Sequence, residues 1–312
     1  MPLKISEPEL IREKTLINPP EIIKAIYLTS ASAGSESRVN YLIDLASTTE
    51  INAVVIDIKD FSGYIAYETD VPEAKKYKAE KIKILDIEKL IEKLHAEGIY
   101  VIARIVVFQD PVLAKNRPDL AIHSQTKLAS TTEETLSSAT FWSDNYDLPW
   151  IDPAAREAWD YTIAIAKDAS SYGFDEINFD YLRFPTDGDL KDIYFPIWDG
   201  KTAKNLVLKE FYEYIRQELP ETKLSVDLFG LSTVNFDDLG IGQIIEDAFE
   251  YFDFVSPMVY PSHYSLGFLG FEDPNEHPYE VVKYSMENGL KRLHLYREFK
   301  LTKSTMPANY TT

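Results

Sequence analysis

The chain has 312 residues, 32 Lys+Arg against 51 Asp+Glu for a formal charge of −19 at pH 7, 45% hydrophobic residues and no cysteine. Without cysteine, disulfide frameworks, zinc ribbons and thiol nucleophiles are excluded, and so acidic a chain repels phosphate, which argues against a nucleic-acid partner. The hydrophobic share is too high for a disordered chain. No run reaches the ~18 apolar residues of a membrane span, and the opening MPLKISEPELIREKTLINPPEIIK lacks the apolar centre of a secretory signal.

Residues 1–22 read as an N-terminal extension, and from residue 23 short β-type runs alternate with amphipathic helical stretches. KAIYLT (24–29) predicts a first strand, followed by a helix near 36–48 with apolar Val39, Leu42, Ile43 and Leu45. AVVIDIKD (53–60) predicts a second strand, and KILDIEKLIEKLHAEG (83–98) a helix closed by Gly98. YVIARIVVF (100–108) is nearly continuous in apolar residues, as expected of a third strand buried on both faces. The polar stretch 109–150 then breaks the rhythm, with a short helix and turn at PVLAKNRPDLAI and a loop at ASTTEETLSSATFWSDN. DPAAREAWDYTIAIAKDASSYG (152–173) predicts a helix with Asp152 as N-cap and Pro153 at its first position. EINFDYLRFP (176–185) predicts a fourth strand, 203–218 a helix, KLSVDLFG (223–230) a fifth strand and IGQIIEDAFEYF (241–252) a short helix. DFVSPMVYPSHY (253–264) predicts a sixth strand and HPYEVVKYSMENGLKRL (277–293) a sixth helix.

Strict βα alternation means a parallel sheet with helices outside it, either open or closed into a barrel. No glycine-rich phosphate turn follows the first strand, and charged residues recur at the C-terminal strand ends, where a barrel gathers its active site. The expected fold is therefore an α/β chain with one (β/α) TIM-type barrel domain over 23–293. Only the tail 294–312 follows it. LHLYREF (293–299) is a candidate seventh strand, but an eighth cannot fit, so the barrel is expected to be incomplete, with about six βα units and the last one or two missing.

The strand period of two aims side chains alternately at the helices and at the barrel interior. Glu176, Asn178 and Asp180 share the inner face of the fourth strand, with Ile177, Phe179 and Tyr181 outside. Asp57 and Lys59 face inward from the second strand, Asp227 from the fifth, and Arg104 is buried in the third. Interior carboxylates are costly unless paired or used. The structural alternatives are a Glu176–Arg104 pair and a buried Asp57–Lys59 pair, whereas Asp180, with Arg183 just beyond it, and Asp227 sit where chemistry is done. Two carboxylates across a pocket suit glycoside hydrolysis, one as nucleophile or base and the other as proton donor. Tyr27, Tyr64, Phe108, Trp142, Tyr146, Trp150, Phe184, Tyr260 and Tyr264 fall at or after strand ends, where sugar faces could stack, and His263 stands at the rim. Asp57, Asp60 and Asp180 could offer oxygen ligands to Mg²⁺ or Ca²⁺. The five histidines are scattered, however, and no metal or cofactor is expected.

AIYLTSASAG (25–34), NAVVIDIKDFSGYIAYET (52–69), IYVIARIVVFQDPVLAKNRPDLAI (99–122), WIDPAAREAW (150–159), FDEINFDYLRFPTDG (174–188) and VSPMVYPSHY (255–264) together resemble the bacterial putative glycoside hydrolase domain family, grouped with the α-amylase-like TIM barrels. The resemblance runs from about residue 22 to 293. It implies a (β/α) barrel acting on a polysaccharide at the cell envelope, although the chain itself shows no signal or anchor. The amylase-like layout implies a nucleophile at Asp180 and an acid/base at Asp227, where those enzymes usually carry glutamate. It also implies a stabilising acid on a seventh strand, for which no counterpart is visible. The expected function is hydrolysis of O-glycosidic bonds of a carbohydrate, with Asp57, Lys59, Asp60, Arg104, Glu176, Arg183, Tyr260 and His263 in support. The alternative is a non-catalytic carbohydrate-binding or envelope-interaction module on a degenerate barrel.

Overall fold

The computed structural model describes residues 14–131 and 136–305, with side chains to Thr302. The expected extension therefore lies outside the described residues up to 13. Eight strands are found among them: β1 (Ala25–Leu28), β2 (Ala53–Lys59), β3 (Tyr100–Val106), β4 (His123–Ser124), β5 (Glu176–Asp180), β6 (Ile193–Tyr194), β7 (Leu224–Phe229) and β8 (Phe254–Met258). Six form one parallel sheet in the order β1-β2-β3-β5-β7-β8, and β4 pairs antiparallel with β6 as a small flap outside it. The helices are α1 (Ser30–Ala33), α2 (Glu36–Thr48), α3 (Pro72–Tyr77), α4 (Ile87–Ala96), α5 (Pro111–Asn116), α6 (Gln125–Ser130), α7 (Arg156–Tyr172), α8 (Lys204–Glu218), α9 (Ile245–Tyr251) and α10 (Pro278–Thr305). Sequential strands joined by helical crossovers curl the sheet into a half-barrel.

The main core lies between the outer face of the sheet and the helices. Ile56 and Ile58 of β2, Ala103 and Ile105 of β3, Ile177 and Phe179 of β5, and Val226 and Leu228 of β7 are all fully buried there. Against them pack Leu42 of α2, Ile91 and Leu94 of α4, Ile165 of α7, Phe211 and Ile215 of α8, and Ala248 of α9. Each spans the period of a helix face meeting the two-residue period of a strand. The inner face has its own small apolar floor, where Ala53, Tyr100 and Ile102 receive Leu16 and Ile23. Leu16 is tied down by its N–H, which donates to Asp175 Oδ1 at 2.6 Å.

Four expectations are corrected. The helix after residue 152 begins only at Arg156, with Ala155 at its N-cap position. Asp152 instead accepts the N–H groups of Ala154, Ile197 and Trp198 and fastens a distant loop. The fourth predicted strand stops at Asp180, not 185, because Tyr181 adopts a left-handed φ of 57° that no strand continues through. The sixth stops at Met258 and passes through Tyr260 into a short turn at Pro261–His263. The candidate seventh strand is helix, since α10 runs unbroken through 293–299. Its residues repeat every four: Arg292 pairs with Glu246, Tyr296 meets Phe249 at 5.9 Å, and Lys300 pairs with Glu250. That is the spacing of one helix lying along α9. No helix among the described residues is long and apolar enough to cross a membrane.

Candidate active site

Above the apolar floor of Ala53, Tyr100 and Ile102, the inner face of the sheet carries polar side chains toward the C-terminal strand ends. In register, Arg104 of β3 lies between Asp57 of β2 and Asn178 of β5. Its side chain leans along the strand toward the C-terminal ends. Nη1 donates to Asp57 Oδ1 at 2.6 Å, Nη2 donates to Asp180 Oδ2, and Nε stands 3.8 Å from Asp227 Oδ2. One guanidinium thus gathers carboxylates from strands β2, β5 and β7. Burial alone would lower its pKa, but the charges of Asp180 and Asp57 outweigh that and raise it.

The three carboxylates are held differently. Asp57 also accepts from the Tyr27 hydroxyl. Burial raises the Asp57 carboxyl above its usual range, while Arg104 and Tyr27 oppose the shift. Burial, with the neighbouring Asp57, raises the Tyr27 phenol in turn. Asp180 closes β5 and accepts the N–H of Tyr181 at 2.6 Å in addition to Arg104. Asp227 has no such close ion pair; it accepts only Asn178 Nδ2 at 3.0 Å. Burial first, and then the charge of Asp180, push its carboxyl up to about 7, against the pull of Asn178 and Arg104.

Beyond the strand ends a cleft of about 510 Å³ opens, lined on one side by Arg104, Asp180 and Tyr181 and on the other by Phe229, Met258 and Tyr260. The left-handed turn at Tyr181 has three effects. It swings the Tyr181 ring into the cleft, where the strand period had placed it outside, sends Leu182 into the core, and sets Arg183 against the opening. Gly230 follows β7 where a Cβ would come within 2.7 Å of the Met258 carbonyl oxygen, so a bare backbone lets β7 and β8 converge at the mouth. A further cavity of about 560 Å³, between residues 14–18 and α4, holds none of the strand-end carboxylates.

Other expected site residues are dispersed. Tyr260 and His263 stand at the cleft rim with rings 5.3 Å apart. Lys59 does not pair with Asp57. A register shift between Asp57 and Lys59 turns Lys59 away to a buried ion pair with Asp110 at 2.8 Å, where it also donates to the Val106 carbonyl. Asp60 accepts from the Ser62 N–H and hydroxyl and lies 3.5 Å from Lys83, in a loop away from the cleft lining. Glu176 does not pair with Arg104, because it is in register with Ile102, one period lower. It accepts from the Tyr100 hydroxyl at 3.2 Å, and burial raises its pKa. Of the aromatic residues expected to stack on sugars, Phe108, Trp142, Trp150 and Phe184 are buried in the core, while Tyr260 and Tyr264 line the cleft. Asp187 and Leu231 are cleft residues that no strand period signals, since they sit on a loop and a 3-10 turn, whereas Phe229 ends β7 on the same face as Ser225 and Asp227. Among the described residues no group of three or more His, Asp or Glu side chains is arranged to hold a metal ion.

The chain is similar to several proteins of known structure. A crystal structure of a hypothetical protein from Ruminiclostridium thermocellum is 39% identical, superposes with a TM-score of 0.57, and covers 69% of this chain and 98% of its own. A maltogenic α-amylase from Thermotoga neapolitana is 13% identical with a TM-score of 0.43, over 75% of this chain and 48% of its own. An α-galactosidase from Lactobacillus brevis is 13% identical with a TM-score of 0.47, over 86% of this chain and 32% of its own. Superpositions as loose as the last two bear on neither substrate nor mechanism. No curated protein matches the chain. Residues 25–303 match the family model described as "Putative glycosyl hydrolase domain", and the chain belongs to that family.

Proposed function

We propose that the chain hydrolyses O-glycosidic bonds of a polysaccharide with Asp180 and Asp227 as its working carboxylates. The observation that carries this reading is their asymmetry at one guanidinium. Asp180 accepts a hydrogen bond from Arg104, whereas Asp227 stands 3.8 Å from the same guanidinium without one, and burial with the Asp180 charge pushes its carboxyl up to about 7. Separating two neighbouring carboxylates in this way is how glycosidases divide the labour. Asp180 supplies the negative charge, as nucleophile on the anomeric carbon or as base on the attacking water. Asp227 passes its proton to the departing glycosidic oxygen. Arg104 and Asn178 hold the pair in place, and Tyr260 with His263 offer ring faces at the rim for the sugar. The half-barrel is read as a TIM-type barrel with its last one or two units missing.

The test is a panel of polysaccharides digested by the wild type and by Asp180→Asn, with release of reducing ends as the readout. Cleavage of at least one polymer by the wild type, reduced by about 10²–10⁴-fold in the variant, is the expected result. A variant that cleaves as well as the wild type would sink the assignment. Saturable binding of a polymer without cleavage would instead make the chain a carbohydrate-binding module.

A further inference from the structure

Five of the eight arginines among the described residues have a carboxylate within ion-pair distance, as a chain with so large an excess of acid would lead one to expect. Arg104, Arg117, Arg156, Arg216 and Arg292 all do. Arg38, Arg183 and Arg297 do not, and Arg38 and Arg297 are exposed to water. Arg183 is only 8% exposed, lines the cleft beside Asp180, and has no carboxylate within 4 Å among the described residues. A buried guanidinium without a counter-charge is a costly arrangement unless something supplies the charge.

The surroundings are built to hold it. Its guanidinium carbon sits over three rings, 4.7 Å from the centroid of Trp150, 5.0 Å from Tyr181 and 5.1 Å from Phe229. Trp150 is itself immobilised, since its indole N–H donates to Asp144 Oδ2 at 2.9 Å, and Gln109 Nε2 donates to the same oxygen. Nη1 of Arg183 is used by the Phe184 carbonyl at 3.3 Å and the Thr186 hydroxyl at 3.0 Å. Nε and Nη2 have no protein acceptor among the described residues, which leaves one edge of the fork for a ligand. The acids whose charge reaches Arg183 are Asp180, Asp187 and Asp144. Asp180 is engaged by Arg104 and Asp144 by four hydrogen-bond donors, so Asp187 at the mouth is the one left to compete.

We infer that Arg183 is a specificity-determining residue that receives the carboxylate of a uronic-acid unit, so that the polysaccharide taken into the cleft is an anionic one. The inference rests on the proposed carbohydrate reading of the cleft, and it assigns the substrate class. A planar guanidinium edge matches a carboxylate in two parallel hydrogen bonds, which a hydroxymethyl group in the same position cannot replace.

Calorimetric titration with uronic-acid oligosaccharides and with the same oligosaccharides after reduction of their carboxyl groups tests this without any turnover. The wild type is expected to bind at least one acidic oligosaccharide about 10- to 100-fold more tightly than its reduced form. Arg183→Gln should abolish that ratio, Arg183→Lys should narrow it, and Asp187→Asn should widen it. Thermal melts of each variant separate loss of binding from loss of folding, and the wild-type ratio stands without any variant. Equal affinity for acidic and reduced forms, no saturable binding to either, or a ratio unchanged in folded Arg183→Gln would each overturn the inference. If neutral polymers are cleaved and the ratio is one, the hydrolase reading survives and this inference falls. If the acidic ligand binds through Arg183 and nothing is cleaved, the reverse holds.

Discussion

At the scale of single residues, the site depends on one arginine reaching along a strand to carboxylates on its neighbours. The alternation of side chains made Asp57, Asp180 and Asp227 readable as interior residues, because the residues flanking them along each strand were apolar and needed the helices. What alternation could not read was where it breaks. The register shift after Asp57 removed Lys59 from the site, and the left-handed Tyr181 brought in a ring that the period had sent elsewhere. Asp227 gives the clearest residue-level prediction. Its carboxyl is raised in the fold to about 7 from an unfolded value of 3.8. The protonated form therefore contributes stability that is full below pH 3.8 and lost as pH rises through about 7. Asp227→Asn does not titrate. Relative to the wild type it should gain on the order of 4 kcal/mol between pH 4 and pH 8 in denaturant titrations. An unchanged difference across that window would mean that Asp227 is not held protonated.

At the scale of elements, the six sheet strands were legible from their apolar runs and the outer helices from their 3.6-residue stripes. The last helix was legible only to residue 293, and its continuation through 299 was not. LHLYREF carries enough β-forming and aromatic residues to look like a strand over seven positions, and its helical periodicity shows only when Arg292, Tyr296 and Lys300 are matched to α9. Arg292 is the fastening point. Its Nη1 donates to the carbonyls of Ser232 and Asn235, and the guanidinium grips the Glu246 carboxylate with Nε at 2.6 Å. The turn that leads from β7 into the cleft is thereby anchored to α10. Arg292→Met should cost about 3 kcal/mol of stability, because two carbonyls and a half-buried carboxylate lose their donor. A loss below about 0.5 kcal/mol in urea titration would show that α10 is held by other contacts.

At the scale of the whole molecule, the curled parallel sheet divides its residues into an apolar outer layer and a polar inner one. It presents the polar layer at the C-terminal strand ends, where the crossover loops add Tyr181, Arg183, Asp187 and Tyr260. The excess of acid in the composition argued against a nucleic-acid partner. It did not reveal that three acids share a single arginine while another arginine nearby has none, since such pairings depend on register and loop conformation. The purpose assigned to this architecture is to keep one carboxylate charged and its neighbour protonated, and the pH dependence of cleavage tests that most directly. The measurement is kcat/KM against pH for the wild type and for Asp227→Asn on a polymer the wild type digests. The wild type should lose activity as pH rises through about 7, and Asp227→Asn should be about 10²–10⁴-fold slower and lack that falling limb. A falling limb of the same position in both proteins, or equal rates at pH 6, would contradict the account.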